Sequence, residues 1–306
     1  MASVAQYWDG DESTAYSGEA KNWRLVDGTA GAVPLITDTV WFPDGCTNAV
    51  IGSDQSAVML GSFNIKPGYT GTVGSETEGY ATRLQIAATT FSLAGSGVTY
   101  LELTKHTDTD STCTVTAAAA SPGTGQYGLH LTSGTSAIST LSIDLDSGQS
   151  VGVAALPGLT GEFATISVGG DGDVTLGSGL TCDTLNVSGG GNVYVKASIA
   201  AINVTSGSPK VYIEDAVAVS TLLLVQAGTV YENSTGTIKI LSIFSDGTVD
   251  MTDGPAARVI TDTNVYGDGN LDDSGKHATF TNPIKVYGSG TNIDLGANLT
   301  LDRGTI

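Results

Sequence analysis

The sequence is poor in cysteine and in cations, and each shortage excludes a class of protein. Its 306 residues contain 3 Cys and 12 Lys+Arg. The cysteines, Cys46, Cys113 and Cys182, are spaced for neither a disulfide framework nor a CxxC metal knuckle, so we expect reduced thiols. Against 31 Asp+Glu, the few cations leave a formal charge of −19, which opposes binding to phosphate backbones. We therefore expect no nucleic-acid partner.

Long apolar runs and helical periodicity are also missing. Uninterrupted apolar stretches such as Leu222–Val225 fall far short of the roughly 18 to 20 residues of a membrane helix. Apolar residues do not recur at the spacing of an amphipathic helix. The first residues, Met1–Thr14, have neither the basic start nor the apolar run of a signal peptide. We expect a product of the cytoplasm with no membrane partner.

Short apolar-x-apolar triplets separated by glycine-rich turns make up most of the chain. Ile166–Val168 is followed by GGDGD and Val174–Leu176, and Leu185–Val187 is followed by SGGGN and Val193–Val195. Strands of this length alternate apolar and polar side chains, and the turns contain Gly, Asp and Asn. Looser copies occur earlier, at 63–65, 84–86, 101–103, 129–131 and 141–143. The pattern predicts an all-β protein.

The triplets recur with a regular period. The last apolar residue of each first triplet is Val168, Val187, Val204, Val225, Ile243, Val265 or Val286. Successive members are on average about 20 residues apart, within the range of solenoid repeats. One coil cannot bury its triplets alone, but stacked coils can. We predict a right-handed parallel β-helix of roughly ten to twelve coils with these seven side chains in one internal column; an antiparallel sandwich is the alternative.

The N-terminal segment differs from the repeat. All three tryptophans lie between Tyr7 and Ile51, where no coil is legible. A solenoid must cover its first coil, and bulky aromatic side chains do so efficiently. We therefore predict a cap and anchoring segment at 1–54 and a parallel β-helix at 55–306.

The same segment resembles a known family. Its resemblance rests on Tyr7, Trp8, Asn22, Trp23, Gly31, Pro34, Asp38, Val40 and Phe42. They are similar to the "W…NW…P…D.v.f" opening of Gly/Thr-rich β-helical proteins, among them virion proteins of tailed bacteriophages and passenger regions of bacterial surface proteins. The surface-protein branch implies a signal peptide and a C-terminal anchor, from which this sequence departs. The resemblance then implies a phage structural protein, either a head decoration protein or a tail-associated fibre or spike.

Groups suited to catalysis are sparse. His106, His130 and His277 lie in no HExxH or HxH pattern, so we predict no zinc site. The most suggestive group is Asp272-Asp273 with His277 and Lys285, which resembles the acids and bases of β-helical glycosidases. Adjacent residues on a strand point to opposite faces, so Asp272 and Asp273 need a third acid from a neighbouring coil, which Asp250 or Asp294 could supply. We favour a solvated turn, predict no catalytic residue, and expect Asn at 272 and 273 to change nothing measurable.

Acidic turns offer a second possible site. Asp9–Asp11, Asp144–Asp146, Asp171–Asp173 and the turn at Asp268 could ligate calcium through carboxylate and backbone oxygens. The Gly169–Leu176 segment resembles the calcium-binding nonapeptide of secreted repeat toxins. Its acid falls one residue early, however, and it occurs once where that motif runs in tandem. We predict ordinary Asp-Gly turns, with no metal and no cofactor.

Two series of aromatic residues recur at the coil period. The predicted ladders are Tyr194, Tyr212 and Tyr231, and Phe244, Tyr266 and Tyr287. Stacked coils would bring such rings about 4.8 Å apart on the outside of the helix. They either stabilise the solenoid themselves or form a contact surface for another subunit or for sugar rings. We take these six residues, together with Trp8, Trp23, Trp41 and Phe42, as interface candidates.

Our hypothesis is a non-enzymatic virion protein. We expect a capsid decoration (cement) protein that binds the major capsid protein on the outside of a phage head through Tyr7–Ile51. Leu299, Leu301 and Ile306 would leave the last coil uncapped, so we expect self-association as a homotrimer. One alternative is a tail spike or fibre that binds or cleaves a surface polysaccharide, which makes a glycan a further possible partner. Another is an extracellular β-helical adhesin.

Overall fold

A computed structural model shows an all-β chain with essentially no helix. It is a parallel β-solenoid of about 10 turns with coils of ~22 residues. The structure describes residues 4–11, 20–50, 54–74, 84–105, 111–120, 127–133, 138–155, 160–214, 217–254 and 258–296. The chain forms two compact units, Met1–Ala164 and Thr165–Ile306.

The described part of the first unit holds ten complete strands. Its strands are β1 Ala5–Trp8, β2 Trp23–Leu25, β3 Thr39–Phe42, β4 Asp54–Ile65, β5 Leu84–Leu93, β6 Thr99–Lys105, β7 Thr112–Val115, β8 Leu129–Ser133, β9 Ile138–Leu145 and β10 Ser150–Ala155. A 3-10 turn at Ala20–Asn22 precedes β2. Strand β11, Gly161–Gly170, contains the boundary between the units.

The second unit continues with short strands. They are β12 Asp173–Leu176, β13 Leu180–Val187, β14 Asn192–Val195, β15 Ser198–Val204, β16 Lys210–Ile213, β17 Val219–Glu232, β18 Thr237–Asp250, β19 Arg258–Tyr266, β20 Asn270–Asp272, β21 Ala278–Phe280, β22 Lys285–Tyr287 and β23 Asn292–Asp294.

In the first unit, parallel pairing extends to the N-terminal segment. Strand β1 pairs in parallel with β3, and β3 with β4, although the sequence analysis found no coil there. Strand β2 is the exception and pairs antiparallel with β1. The predicted early triplets all lie in parallel strands, namely β4, β5, β6, β8 and β9. One resulting interior column is Val40, Phe63, Phe91, Cys113 and Leu141.

A buried aromatic cluster fills the N-terminal core of the first unit. Trp8, Trp23, Phe42 and Phe63 are completely buried. The rings of Trp8 and Trp23 meet edge to face with centroids 5.3 Å apart, and those of Phe42 and Phe63 are 5.4 Å apart. Aromatic side chains bury the largest apolar area per residue, so a few of them complete a core at the beginning of a solenoid. The predicted aromatic-rich cap is confirmed.

In the second unit, the predicted valine column is confirmed over most of its length. The register pairs Val187 with Val204, Val204 with Val225, and Val225 with Ile243, and it continues through Val265 to Val286. The backbone N–H of Ser188 donates to the Val168 carbonyl, which places Val168 in the coil before Val187. Six of the seven side chains are buried, and Val286 at the end of the column is half-buried.

Glycines form the corner between the two strands of each triplet pair. Gly170, Gly189 and Gly207 have φ of 74°, 89° and 80°, which favours glycine over all other residues. They also stack, because a Cβ on Gly207 would collide with the carbonyl oxygen of Gly189, and one on Gly189 with that of Gly170. The corner therefore requires glycine for its backbone conformation and for the close approach of successive coils.

The coils are unequal in length. Val187 and its partner Val204 are 17 residues apart, whereas Ile65 and its partner Leu93 in the first unit are 28 apart. The predicted period of about 20 was measured on the second half of the chain, where turns are short. The longer coils of the first unit raise the average to ~22 residues.

Val204→Ala tests the interior column. Val204 is completely buried between two paired neighbours, so we expect the free energy of unfolding to fall by about 2 kcal/mol. Val286→Ala makes the same change at the half-buried end of the column and should cost less than half as much. Urea unfolding monitored by circular dichroism measures both. Equal losses would contradict the burial difference.

Candidate functional site

Two ladders of stacked aromatic rings run along the outside of the second unit. The rings of Tyr194 and Tyr212 are 4.9 Å apart and those of Tyr212 and Tyr231 are 4.7 Å apart, with planes within 11° of parallel. These distances match the spacing of adjacent strands, because the register pairs these tyrosines directly. The predicted first ladder is confirmed.

The second ladder has the same geometry. Phe244 and Tyr266 are 4.5 Å apart, and Tyr266 and Tyr287 are 4.7 Å apart, again nearly parallel. Each ring in a ladder covers the face of its neighbour. A ring between two others therefore exposes only its edge and, for tyrosine, its phenol oxygen. A ladder therefore stabilises successive coils, and a full ring face is available only at its ends. The interface role of these six residues stays a prediction.

The first ladder continues as a row of carboxylates. Tyr231 pairs with Asp250, Asp250 with Asp272, and Asp272 with Asp294. Each aspartate accepts a backbone N–H from the residue two positions later, at 2.9 Å from Thr252, 3.0 Å from Ser274 and 2.9 Å from Gly296. This is the Asx-turn, in which the carboxylate shapes the corner that follows the strand. The predicted third acid is thus beside Asp272, and all three acids are engaged in turns.

The remaining members of the suggested acid and base group are dispersed. Asp273 turns inward and is 2% exposed, while Asp272 points outward. His277 Nδ1 lies 3.1 Å from the Met251 carbonyl, and Lys285 lies beside Asn264 on a different strand column. The structure therefore brings Asp272 together with Asp250 and Asp294, and it does not bring Lys285 to them.

A buried charged cluster that was not predicted from the sequence lies in the interior of the second unit. Glu232 and Arg258 are completely buried, and Asp273 is nearly so. Glu232 pairs with Ile213 of the preceding coil. It therefore occupies an inward-facing position at which that coil has an aliphatic side chain. A Cβ on Gly254 would collide with Arg258 Nη2, so this glycine makes room for the guanidinium. The sequence did contain a signal for this inward-facing charge. Tyr231 belongs to the predicted outer ladder, and the next residue on a strand, Glu232, must point to the opposite face.

The three charges differ in how they are stabilised. Asp273 accepts backbone N–H groups from His277 at 2.8 Å and Ala278 at 3.1 Å. The guanidinium nitrogens of Arg258 and Oε2 of Glu232 make no hydrogen bond within the part of the chain that the structure describes. Burial raises the pKa of Glu232 to about 7, although Ser234 and Arg258 favour its ionised form. Burial lowers the pKa of Arg258, while Glu232 and Asp273 raise it.

An open groove crosses the glycine corner of the second unit. It has a volume of about 700 Å³. Among the residues that line it are Thr205, Ser208, Lys210, Gln226, Asp246 and Thr248. Strand β18 carries one extra residue here, because Val225 and Ala227 pair with Ile243 and Asp246. Such a bulge bends a strand and redirects its side chains. The groove is lined by hydroxyl, amide and charged groups of both signs.

The N-terminal interface candidates are mostly buried. Trp8, Trp23 and Phe42 lie in the aromatic core with no exposure, so their side chains offer no surface to a partner. Their predicted contact role therefore conflicts with the packing that makes them a cap. Trp41 points outward and lies 5.9 Å from Tyr7, partly exposed. Trp41 therefore remains an interface candidate.

An exposed apolar turn in the same unit was not predicted. Leu35 and Ile36 are 54% and 61% exposed, and Val4 is 41% exposed. The buried carboxylate of Asp38 holds them together, because it accepts the backbone N–H of Leu35 at 2.9 Å and that of Val4 at 2.8 Å. The turn is fixed further by a hydrogen bond from the Thr37 N–H to the Met59 carbonyl.

Within the described part of the chain, the cysteines and histidines form no shared centre. Cys46, Cys113 and Cys182 are free thiols, as predicted, and burial raises the pKa of Cys182 to about 11. His130 stacks on Tyr100 at 4.5 Å, and His106 lies outside the described residues. Across the ranges given above, no three His, Cys, Asp or Glu residues are grouped to hold a metal ion.

None of the helical segments among the described residues is long and apolar enough to cross a bilayer. The predicted uncapped end at Leu299, Leu301 and Ile306 lies outside the described residues.

Comparison with known proteins gave no relative. No family model matches the chain, and no curated protein or solved structure is significantly similar to it.

Substitution of Asp272 and Asp273 one at a time should separate their roles. The prediction from sequence was that Asn at both positions changes nothing measurable, and the structure leads us to expect an effect at Asp273. Asp273→Asn removes the charge beside Arg258 and turns an amide donor toward the N–H of His277 or Ala278, so we expect a loss of about 2 to 4 kcal/mol in stability. Asp272→Asn keeps an acceptor at an exposed turn and should cost at most about 0.5 kcal/mol. Thermal and urea unfolding measure the difference. Equal effects would contradict the inward position of Asp273.

Proposed function

We propose that the protein is a non-enzymatic structural component of a phage virion, a decoration protein that binds the outside of the capsid through its N-terminal unit. The observation that supports this function best is the exposed turn formed by Val4, Leu35 and Ile36. Large aliphatic side chains that stay exposed next to a filled core are typical of contact surfaces.

The turn is well suited to binding because its shape is already fixed. Asp38 ties both ends of the turn, and Gln6 Nε2 donates to the same carboxylate at 3.3 Å. A surface that is ordered before association loses little conformational entropy on binding, so a small apolar contact gives more affinity. Capsid decoration requires this kind of rigid and specific contact.

The charge of the chain and the polar outer faces of its coils support exposure on a particle surface. The formal charge of −19 and the polar outer faces of the coils disfavour self-aggregation and contact with packaged DNA. Parallel coils with stacked ladders give a stable projection without a large additional core. The predicted homotrimer remains part of this proposal.

Leu35→Ser with Ile36→Ser tests the attachment surface. We expect the double variant to bind purified capsids of the encoding phage at least about tenfold more weakly in a co-sedimentation assay, because two central apolar contacts are lost. Val26→Ser is the matched control, since Val26 is 70% exposed on a different turn of the same unit. Undiminished binding of the double variant, or no binding of the wild type, would contradict the proposal.

A second candidate function is the recognition of a neutral glycan at the groove of the second unit. Phe244 begins the second ladder, and the residues opposite it in the preceding coil, Gln226 and Ala227, carry no ring. We infer that the face of Phe244 toward that coil is available to a ligand, and Gln226 and Asp246, which line the groove, supply polar groups. An aromatic face next to hydroxyl, amide and carboxylate groups matches the apolar and polar sides of a sugar ring. The charge of −19 disfavours acidic polysaccharides.

A glycan array followed by titration calorimetry tests this candidate. We expect a neutral oligosaccharide to bind, and Phe244→Ala and Gln226→Ala each to weaken it at least about tenfold, because each loses a group facing the ligand. Tyr287→Ala is the control, since Tyr287 ends the same ladder and is 45% exposed. An array without neutral ligands, or equal losses in Phe244→Ala and Tyr287→Ala, would eliminate the groove as a glycan site.

A further inference from the structure

The buried cluster of Glu232, Arg258 and Asp273 interrupts an otherwise apolar interior column. Ile213 stands one coil before Glu232, and Met251, which is completely buried, follows the outward Asp250 just as Glu232 follows Tyr231. Three ionisable side chains in this position carry a net charge of −1 when all are ionised. Uncompensated charge is costly in a core, so the cluster favours a state in which one acid is neutral.

The hydrogen bonds of Ser234 accommodate a neutral Glu232, whose Oε1 also accepts the Ser234 backbone N–H at 3.1 Å. Ser234 Oγ lies within hydrogen-bond distance of both Glu232 Oε1 and the Val217 carbonyl, the latter at 3.0 Å. A hydroxyl has one hydrogen and cannot donate to both acceptors. If Glu232 carries a proton, its O–H donates to Ser234 Oγ, and the Ser234 hydroxyl donates to the Val217 carbonyl. Ser234 Oγ then accepts from Glu232 and from the Gly236 N–H at 3.2 Å, so the Ser234 hydroxyl and the Val217 carbonyl are both satisfied.

Asp273 is engaged with other partners. Its two carboxylate oxygens accept N–H groups from His277 and Ala278, and it lies close enough to Arg258 to act as its counter-charge. The charged or titratable groups facing Glu232 among the described residues are therefore Arg258 and, through it, Asp273. The His277 ring is directed to the Met251 carbonyl.

We propose that Glu232 is a proton-binding site in the solenoid core, which holds the coils around Met251 together when it is protonated and loosens them when it ionises. This inference does not depend on the proposed attachment to capsids. Loss of the Glu232 proton leaves two acceptors competing for the Ser234 hydrogen and adds an unpaired charge to the interior. The contacts that fail first are those between strands β17, β18 and β19, since Glu232 and Arg258 end and begin two of these strands.

The sign of the pH dependence follows from the raised pKa. The Glu232 carboxyl has a pKa of about 7 when folded, against 4.5 for an ordinary glutamate. Between these values the folded chain binds more protons than the unfolded chain, so stability rises as the pH falls. The contribution is complete below pH 4.5 and is lost as the pH rises through 7. The unfolding equilibrium constant should change by about tenfold per pH unit within this window.

Glu232→Gln tests the proposal, because the glutamine amide can donate an N–H to Ser234 Oγ, as the protonated acid does, and cannot ionise. In urea unfolding between pH 7 and 5, we expect the unfolding equilibrium constant of the wild type to fall about tenfold per pH unit through this group, and we expect Glu232→Gln to lack that contribution. Glu162→Gln changes an exposed glutamate of the first unit and should leave the profile unaltered. A Glu232→Gln profile that parallels the wild type would overturn the proposal.

Two direct measurements on the wild-type chain keep the test independent of the variant. Carbon NMR of labelled glutamate should show one carboxyl that titrates near pH 7, and a Glu232 midpoint near 4.5 would overturn the proposal. Amide hydrogen exchange, corrected for its intrinsic pH dependence, should show β17–β19 losing protection above neutral pH before β13 and β15 do. Uniform loss of protection across these strands would equally overturn it.

Discussion

Coil-to-coil register is the constraint on which the rest of this structure depends. Parallel hydrogen bonding places each side chain directly above its counterpart in the neighbouring coil, about 4.8 Å away. The valine column, the two aromatic ladders and the corner glycines all follow from this one geometry. The sequence is free to vary only where a change is acceptable to both neighbours. A residue in this fold is therefore best understood by its column.

The same constraint explains why the outer ladders are first of all structural. Stacked rings cover one another's faces, and stacked aspartates shape the turns that follow them. Neither arrangement requires a ligand. Function is more plausible where a column changes identity, since an uncovered face or an unmatched charge remains there. The beginning of the second ladder at Phe244 and the change from Ile213 to Glu232 are two such places.

The two units use different means to fill their interiors. The first relies on large aromatic rings and long coils, and the second on small aliphatic side chains with tight glycine corners. Trp8, Trp23 and Phe42 are buried in the N-terminal core, so they cannot contact a partner. The exposed turn at Leu35 and Ile36 is the more suitable contact surface. Burial thus changes which residues support attachment without changing the proposed attachment end.

The sequence by itself determined the fold class, the valine column and both ladders, because a period-2 strand pattern repeated at coil length specifies which residues stack. It did not determine the antiparallel strand β2, the bulge at Phe244 or the exposed turn at Leu35, since these depend on how irregular segments fit the coils. The inward position of Arg258 was decided only by tertiary structure, because it required the space left at Gly254. Asp272 and Asp273 are identical in sequence chemistry, and packing alone made one a turn residue and the other a buried counter-charge.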